Sequence, residues 1–161
     1  MENTEIERKW RVKSLPADLE GYACIEMEQA YLNVSPTVRI RRENDEYFLT
    51  YKGKGDGIAH SEYNLPIDKE AFEHMLPKHD GRIIRKKRYV IPFEGTSLKA
   101  ELDIFDEPFT GLRIVEVEFD SEEEADAFTA PDWFGEEVSL DDRFKNAYLA
   151  INENFRPEDM L

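Results

Sequence analysis

The chain has 161 residues, enough for one domain with a real core and too few for two comfortable ones. Hydrophobic residues make up 40% and charged residues 35%, the balance of a soluble, globular and highly charged chain. A formal net charge of −15 works against general DNA or RNA binding, and no apolar run approaches the ~20 residues that span a bilayer.

The N-terminus, Met1 to Glu5, lacks the basic and apolar regions of a signal peptide, and Cys24 is the only cysteine. No intrachain disulfide and no cysteine-based zinc cluster is therefore possible, and a cytoplasmic location is the expectation. Period-2 alternation predicts eight strands in chain order: Glu5–Val12, Glu28–Val34, Val38–Arg42, Tyr47–Lys52, Glu62–Ile67, Ile83–Ile91, Leu98–Phe105 and Ile114–Phe119. Turn residues such as Asn44-Asp45 and the glycine-rich loop 53–59 separate several of them, so neighbours are antiparallel. Asp68 predicts a helix over Lys69 to Met75. Ser121, with Glu124 three residues on, reads as a capping box for a helix running to about Ala130, ahead of Pro131. A third helix is expected after Ser139, carrying Phe144, Ala147, Tyr148 and Ile151 at helical spacing. Eight antiparallel strands can close into a barrel whose lumen holds side chains or one small ligand. The expected fold is α+β, mainly β: one closed eight-stranded antiparallel barrel with flanking helices, over residues 1–161.

Each strand has one apolar face. It runs through Ile6 and Trp10, Ala30 and Leu32, Ile40, Leu49 and Tyr51, Tyr63 and Leu65, Leu102, and Val115 and Val117, and is expected to pack outward. The alternate face carries Glu5, Glu7, Lys9 and Arg11; Tyr31; Arg39 and Arg41; Thr50 and Lys52; Glu62; Lys86 and Arg88; Lys99, Glu101 and Asp103; Glu116 and Glu118. In an ordinary antiparallel sheet such a face is simply solvated, and for any single strand that remains the better reading. Eight strands that agree, nearly all in charge and mixed in sign, are a different matter. A closed lumen lined this way pays a large desolvation cost unless its charges are paired, wet or bound to ligands. Arg and Lys bind phosphate oxygens, and clustered carboxylates offer hard oxygen ligands to Mg²⁺ or Mn²⁺. Both in one cavity suit a metal–polyphosphate complex. Alternation sets Glu5 and Glu7 on one face ~7 Å apart, and Glu116 and Glu118 repeat the arrangement.

The pattern Glu5-Ile6-Glu7-Arg8-Lys9 resembles the Glu-x-Glu-x-Lys signature of the CYTH superfamily, the triphosphate tunnel metalloenzymes. Later pieces follow in family order: Gln29-Ala30-Tyr31-Leu32, Val38-Arg39-Ile40-Arg41, Thr50-Tyr51-Lys52 and Lys86-Lys87-Arg88-Tyr89, then Glu101 to Phe105 and Val115 to Phe119. The segment Trp133 to Ser139, with Asp141, Arg143 and Asn146, resembles bacterial members, so the likeness covers nearly the whole chain. It implies a tunnel open at both ends, a divalent metal and a linear triphosphate. On that resemblance Lys9, Arg39, Arg41, Lys52, Lys86 and Arg88 bind phosphate. Glu5, Glu7, Glu116 and Glu118 hold Mg²⁺ or Mn²⁺, with Glu101 and Asp103 assisting, and Lys86 with Tyr31 is expected to orient or activate water. His60, His74 and His79 are expected at the surface, Trp133 and Phe134 in the core or over the barrel, and the inward placement of Lys99 is left open.

The expected activity is metal-dependent hydrolysis of triphosphate, foremost inorganic triphosphate, to diphosphate and orthophosphate. The alternatives are a class IV-type adenylate cyclase, a nucleoside or thiamine triphosphatase, and a non-catalytic polyphosphate-binding module. No base-recognition motif is visible for a cyclase, and binding alone does not call for matched carboxylates. The expected partner is a small-molecule triphosphate, with no nucleic acid or membrane, in a monomer or homodimer.

Overall fold

The structure, a computed structural model, describes residues 4–53 and 58–152. The strands are β1 (Thr4–Val12), β2 (Ala23–Asn33), β3 (Thr37–Glu43), β4 (Glu46–Lys52), β5 (Ala59–Ile67), β6 (Asp80–Pro92), β7 (Lys99–Phe105), β8 (Arg113–Phe119) and β9 (Phe134–Glu137). They form one sheet in the order β5-β4-β3-β2-β6-β7-β8-β1-β9, and β5 also pairs with β1. That pairing closes an eight-stranded antiparallel barrel. Its seam is short: Thr4, Glu5 and Ile6 stand opposite Ser61, His60 and Ala59. The far end of β1 pairs instead with β9, a strand the sequence reading missed. Arg8 anchors β9 by donating to Glu137 at 2.6 and 2.9 Å and to the Ala125 carbonyl at 2.7 Å.

Two residues, Asn44 and Asp45, join β3 to β4, and Asn44 takes the left-handed conformation (φ 52°) that asparagine tolerates. The middle part of loop 53–59 lies outside the described residues. Helix α1 (Lys69–Met75) has the expected bounds, with the Asp68 carboxylate accepting from the Ala71 amide at 2.7 Å. Helix α2 (Glu122–Ala127) is capped by Ser121 but stops short of Ala130. Phe128 turns extended there and enters an aromatic cluster, its ring 5.5 Å from Trp10 and 5.3 Å from Phe119. The third helix also needs correcting. A 3₁₀ turn at Asp142–Phe144 comes first, Lys145 breaks it in an extended conformation, and α3 runs over Asn146–Ile151.

The outward apolar face packs as expected over most of the barrel. Trp10, Leu102, Val115, Val117 and Phe119 bury against Ala125 and Phe134, and Ala30 and Ile40 against Phe72 of α1. It stays open on β4–β5, where Tyr51, Tyr63 and Leu65 are exposed. The inward face is charged along most of its length but apolar at one end. There Ile84, Phe105, Ile114 and Tyr31 pack with Leu149 and Ala150 of α3. The helix sits directly on the β6 backbone at Gly81 (φ 64°), where a Cβ would lie 2.1 Å from the Ala150 carbonyl oxygen. This end of the barrel is therefore filled by α3, unlike the open tunnel that the resemblance implied.

Candidate active site

The strands place alternate residues of β1, β2, β3, β5, β6 and β8, with single residues of β4 and β7, around one cavity of about 960 Å³. Strand order sorts these groups by sign. Lys52 of β4, Arg39 and Arg41 of β3, and Lys86 and Arg88 of β6 form a basic arc, with β2 between β3 and β6. Glu101 of β7, Glu116 and Glu118 of β8, and Glu5 and Glu7 of β1 form an acidic arc, with Lys9 among them. Glu62 lies at the seam. Arg11 continues the inward face of β1, but sits past the cavity with its guanidinium 5.8 Å from the Phe144 ring centroid. Lys99 is exposed at the start of β7.

Where the arcs meet, opposite charges pair. Lys52 Nζ donates to Glu5 at 2.6 Å and lies 3.7 Å from Glu7. Lys9 is 3.4 Å from Glu116 and donates to the Phe144 carbonyl. Asp103 is 1% exposed and takes both inward-facing basic residues of β6, Lys86 and Arg88. Arg88 grips it through Nε and Nη2 at 2.7 and 2.9 Å, and Lys86 donates to it at 2.7 Å. With both oxygens so engaged, Asp103 orients Arg88 and Lys86 and does not wall the cavity, unlike Glu101, which Arg88 Nη1 also reaches at 3.1 Å. Lys86 reaches Asn146 at the start of α3 at 3.2 Å. Tyr31 stands directly opposite Arg39 on β3. Lys86 and Tyr31 share the cavity without being cross-strand neighbours: Lys86 stands opposite Met27, and Tyr31 opposite Asp80.

Burial and charge act together on these groups. Burial lowers Lys86 to about 8, against the pull of Asp103. Burial, with Arg39 next and Arg88 behind, lowers Arg41 to about 10. Glu7 is held well above the usual carboxylate range by burial and by Glu116 and Glu5. Glu5 and Glu101 are raised chiefly by burial, and Glu118 is pushed up to about 7 by partial burial with Glu5 and Glu101. Glu116 moves the other way: burial opposes its ionisation, but Lys9, Arg88 and Lys86 outweigh that and hold it far down.

Among the described residues, no three His, Cys, Asp or Glu side chains already converge on one cation-sized point. The donor chemistry nevertheless fits a hard divalent cation. Glu7 stands directly opposite Glu118, and Glu101 opposite Glu116. Like charges facing each other across a ladder destabilise it, and a bound cation relieves that.

The strand pattern missed several groups that wall the cavity. His60, expected at the surface, faces Glu5 across the seam, and burial together with Lys52 and Lys145 lowers its pKa. Gln29 has inward parity on β2 and was discoverable from alternation alone. Asn146, Lys145 and Tyr148 come from the turn and α3, where alternation gives no signal.

A model of the CYTH domain matches residues 3–144. The chain belongs to the CYTH domain family. An inorganic triphosphatase from Nitrosomonas europaea is 43% identical over 153 residues, covering 92% of this chain and 98% of that protein. One from Acetivibrio thermocellus is 34% identical, covering 94% of this chain and 97% of its own length. A crystal structure of an inorganic triphosphatase superposes with a TM-score of 0.68 at 38% identity, over 91% of this chain and 94% of that one. The barrel is thus the CYTH fold.

Proposed function

We propose that this CYTH chain is a metal-dependent triphosphatase, with inorganic triphosphate as its preferred substrate and diphosphate and orthophosphate as products. The observation that carries the reading is the basic arc facing an acidic arc across one cavity. A phosphate binder alone needs the first arc only. The names borne by the two curated relatives agree with the reading.

Arg39, Arg41, Lys52 and Arg88, with Lys9 and Lys86, bind phosphate oxygens in this account, the arginines bidentately where geometry allows. Glu5, Glu7, Glu116 and Glu118 hold the metal, with Glu101 beside them. A bound Mg²⁺ or Mn²⁺ supplies charge neutralisation and an oriented water. Asp103 keeps Arg88 and Lys86 pointed at the substrate. Lys86, with a lowered pKa and a place on the cavity wall, orients the water or takes its proton, and Tyr31 steadies Arg39. The barrel wall and α3 restrict solvent around the reacting phosphate, where fixed charges act most strongly.

Orthophosphate release from inorganic triphosphate, ATP and thiamine triphosphate, each with Mg²⁺ or Mn²⁺, tests this reading. The expected result is at least about tenfold higher kcat/KM on inorganic triphosphate, the cavity offering no evident base pocket. Equal or faster turnover of an organic triphosphate would move the assignment to that substrate. Cyclic AMP with diphosphate from ATP would replace it with a cyclase.

A further inference from the structure

Gln29 walls the cavity from β2 and is 1% exposed. Neither Oε1 nor Nε2 of its carboxamide has a hydrogen-bond partner among the described residues. Buried amides are nearly always paired, and leaving both ends unmet costs folding free energy that a methionine or leucine here would avoid. The position says what the amide is for. Arg41 stands directly opposite Gln29 on β3, and Ile84 opposite it on β6, with Lys86 two residues further along the same face. Strand β2 thus bridges the two cationic halves of the basic arc while contributing no inward cation of its own. A phosphate chain lying across that arc passes over Gln29.

We propose that Gln29 is a substrate-binding residue, its Nε2 donating to a phosphoryl oxygen of the triphosphate held by Arg41 and Lys86, and its Oε1 accepting from a water of the substrate's hydration shell. The residue type follows from the two demands. A phosphate oxygen satisfies only the amide N–H groups, and the carbonyl needs a donor, which water supplies. A third cation is the poorer solution, because burial, Arg39 and Arg88 already bring Arg41 down to about 10. A neutral donor adds a contact without adding repulsion.

The inference rests on the cavity being a triphosphate site, and the test separates the two. Gln29→Met and Gln29→Glu are compared with the unaltered protein for kcat, KM, thermal midpoint alone, and the midpoint shift caused by inorganic triphosphate with Mg²⁺. Gln29→Met should melt at or above the unaltered protein. Its KM should rise about tenfold or more, and its triphosphate-induced shift should shrink. Gln29→Glu should raise KM further, since a carboxylate then faces phosphate. If Gln29→Met fails to fold, Gln29→Asn, which keeps the amide but shortens its reach, should show the same rise in KM. Unchanged KM and an unchanged ligand-induced shift in the folded variants would overturn the proposal, leaving Gln29 an amide paired with structural water. An unaltered protein that neither turns over nor is stabilised by triphosphate would refute the site itself, and this inference with it.

Discussion

Glu7 and Glu118 face each other across the β1–β8 ladder, while the next inward pair, Lys9 and Glu116, forms an ion pair of 3.4 Å. The second rung is neutralised within the protein; in the first, Lys52 lies 3.7 Å from Glu7 but is held closer by Glu5, and Glu118 has no ion pair among the described residues. That difference is the clearest sign of where a divalent cation belongs.

A pH dependence follows. Glu118 has an ordinary value of 4.5 and is pushed up to about 7, and Glu7 is raised well above the same starting point. Between the two values the folded state binds more protons than the unfolded one, so stability falls as pH rises through that window. Glu116 and Asp103, held down, act oppositely and lose their contribution only in acid. The metal-free thermal midpoint should therefore decline from about pH 5 to about pH 8. Mg²⁺ or Mn²⁺ should restore it most at the alkaline end, and Glu118→Gln should flatten the metal-free slope. A metal-free midpoint that rises over this range would contradict the assignment.

Asp103→Asn removes the carboxylate that holds Lys86 and Arg88. Breaking a buried ion pair on one side typically costs about 3–5 kcal/mol. Urea denaturation should show a loss on that order. A loss below about 1 kcal/mol, a value ordinary for exposed pairs, would mean the cluster is better hydrated than its burial indicates.

Arg41→Ala should reduce kcat/KM on inorganic triphosphate by about 10- to 100-fold, corresponding to one charged hydrogen bond of about 1.5–3 kcal/mol. Arg41→Lys should recover part of that loss, since charge returns without the planar fork. Steady-state kinetics of both variants checks this, and equal rates for Arg41→Ala and the unaltered protein would remove Arg41 from the site.

Gly81→Ala tests the docking of α3. Gly81 has φ 64°, and an added Cβ would lie 2.1 Å from the Ala150 carbonyl oxygen. Strain and collision together should cost about 1–3 kcal/mol and lift α3 from the barrel end. Because Asn146 then leaves Lys86, kcat should fall as well. An unchanged midpoint would show that α3 is not seated where Ala150 meets Gly81.

Most of the barrel was legible because half-buried strands alternate, and parity alone placed Glu5, Glu7, Arg39, Arg41, Lys86 and Glu116 inside. The segregation of charge was not legible. It depends on β2 pairing with β6 and β8 with β1, contacts between residues far apart in the chain. Strand β9 was missed because Phe134–Glu137 is too short to show a period, and it is held by pairing with β1 and by the Arg8–Glu137 ion pair. The filling of one barrel end was hidden for another reason. Ile84, Phe105 and Ile114 share the face of the charged residues and, taken strand by strand, look like ordinary breaks in a pattern.

The central claim is that one arc takes phosphate and the other takes a metal, and turnover measured against metal concentration tests it most directly. Orthophosphate release from inorganic triphosphate is followed as Mn²⁺ or Mg²⁺ is titrated into the chelator-treated protein and into Glu7→Gln. The account predicts negligible release without metal and saturable activation on adding it. Glu7→Gln should require at least about tenfold more metal or fail to respond, as loss of a carboxylate ligand demands. Full turnover without metal, or an identical metal titration for Glu7→Gln, would contradict it.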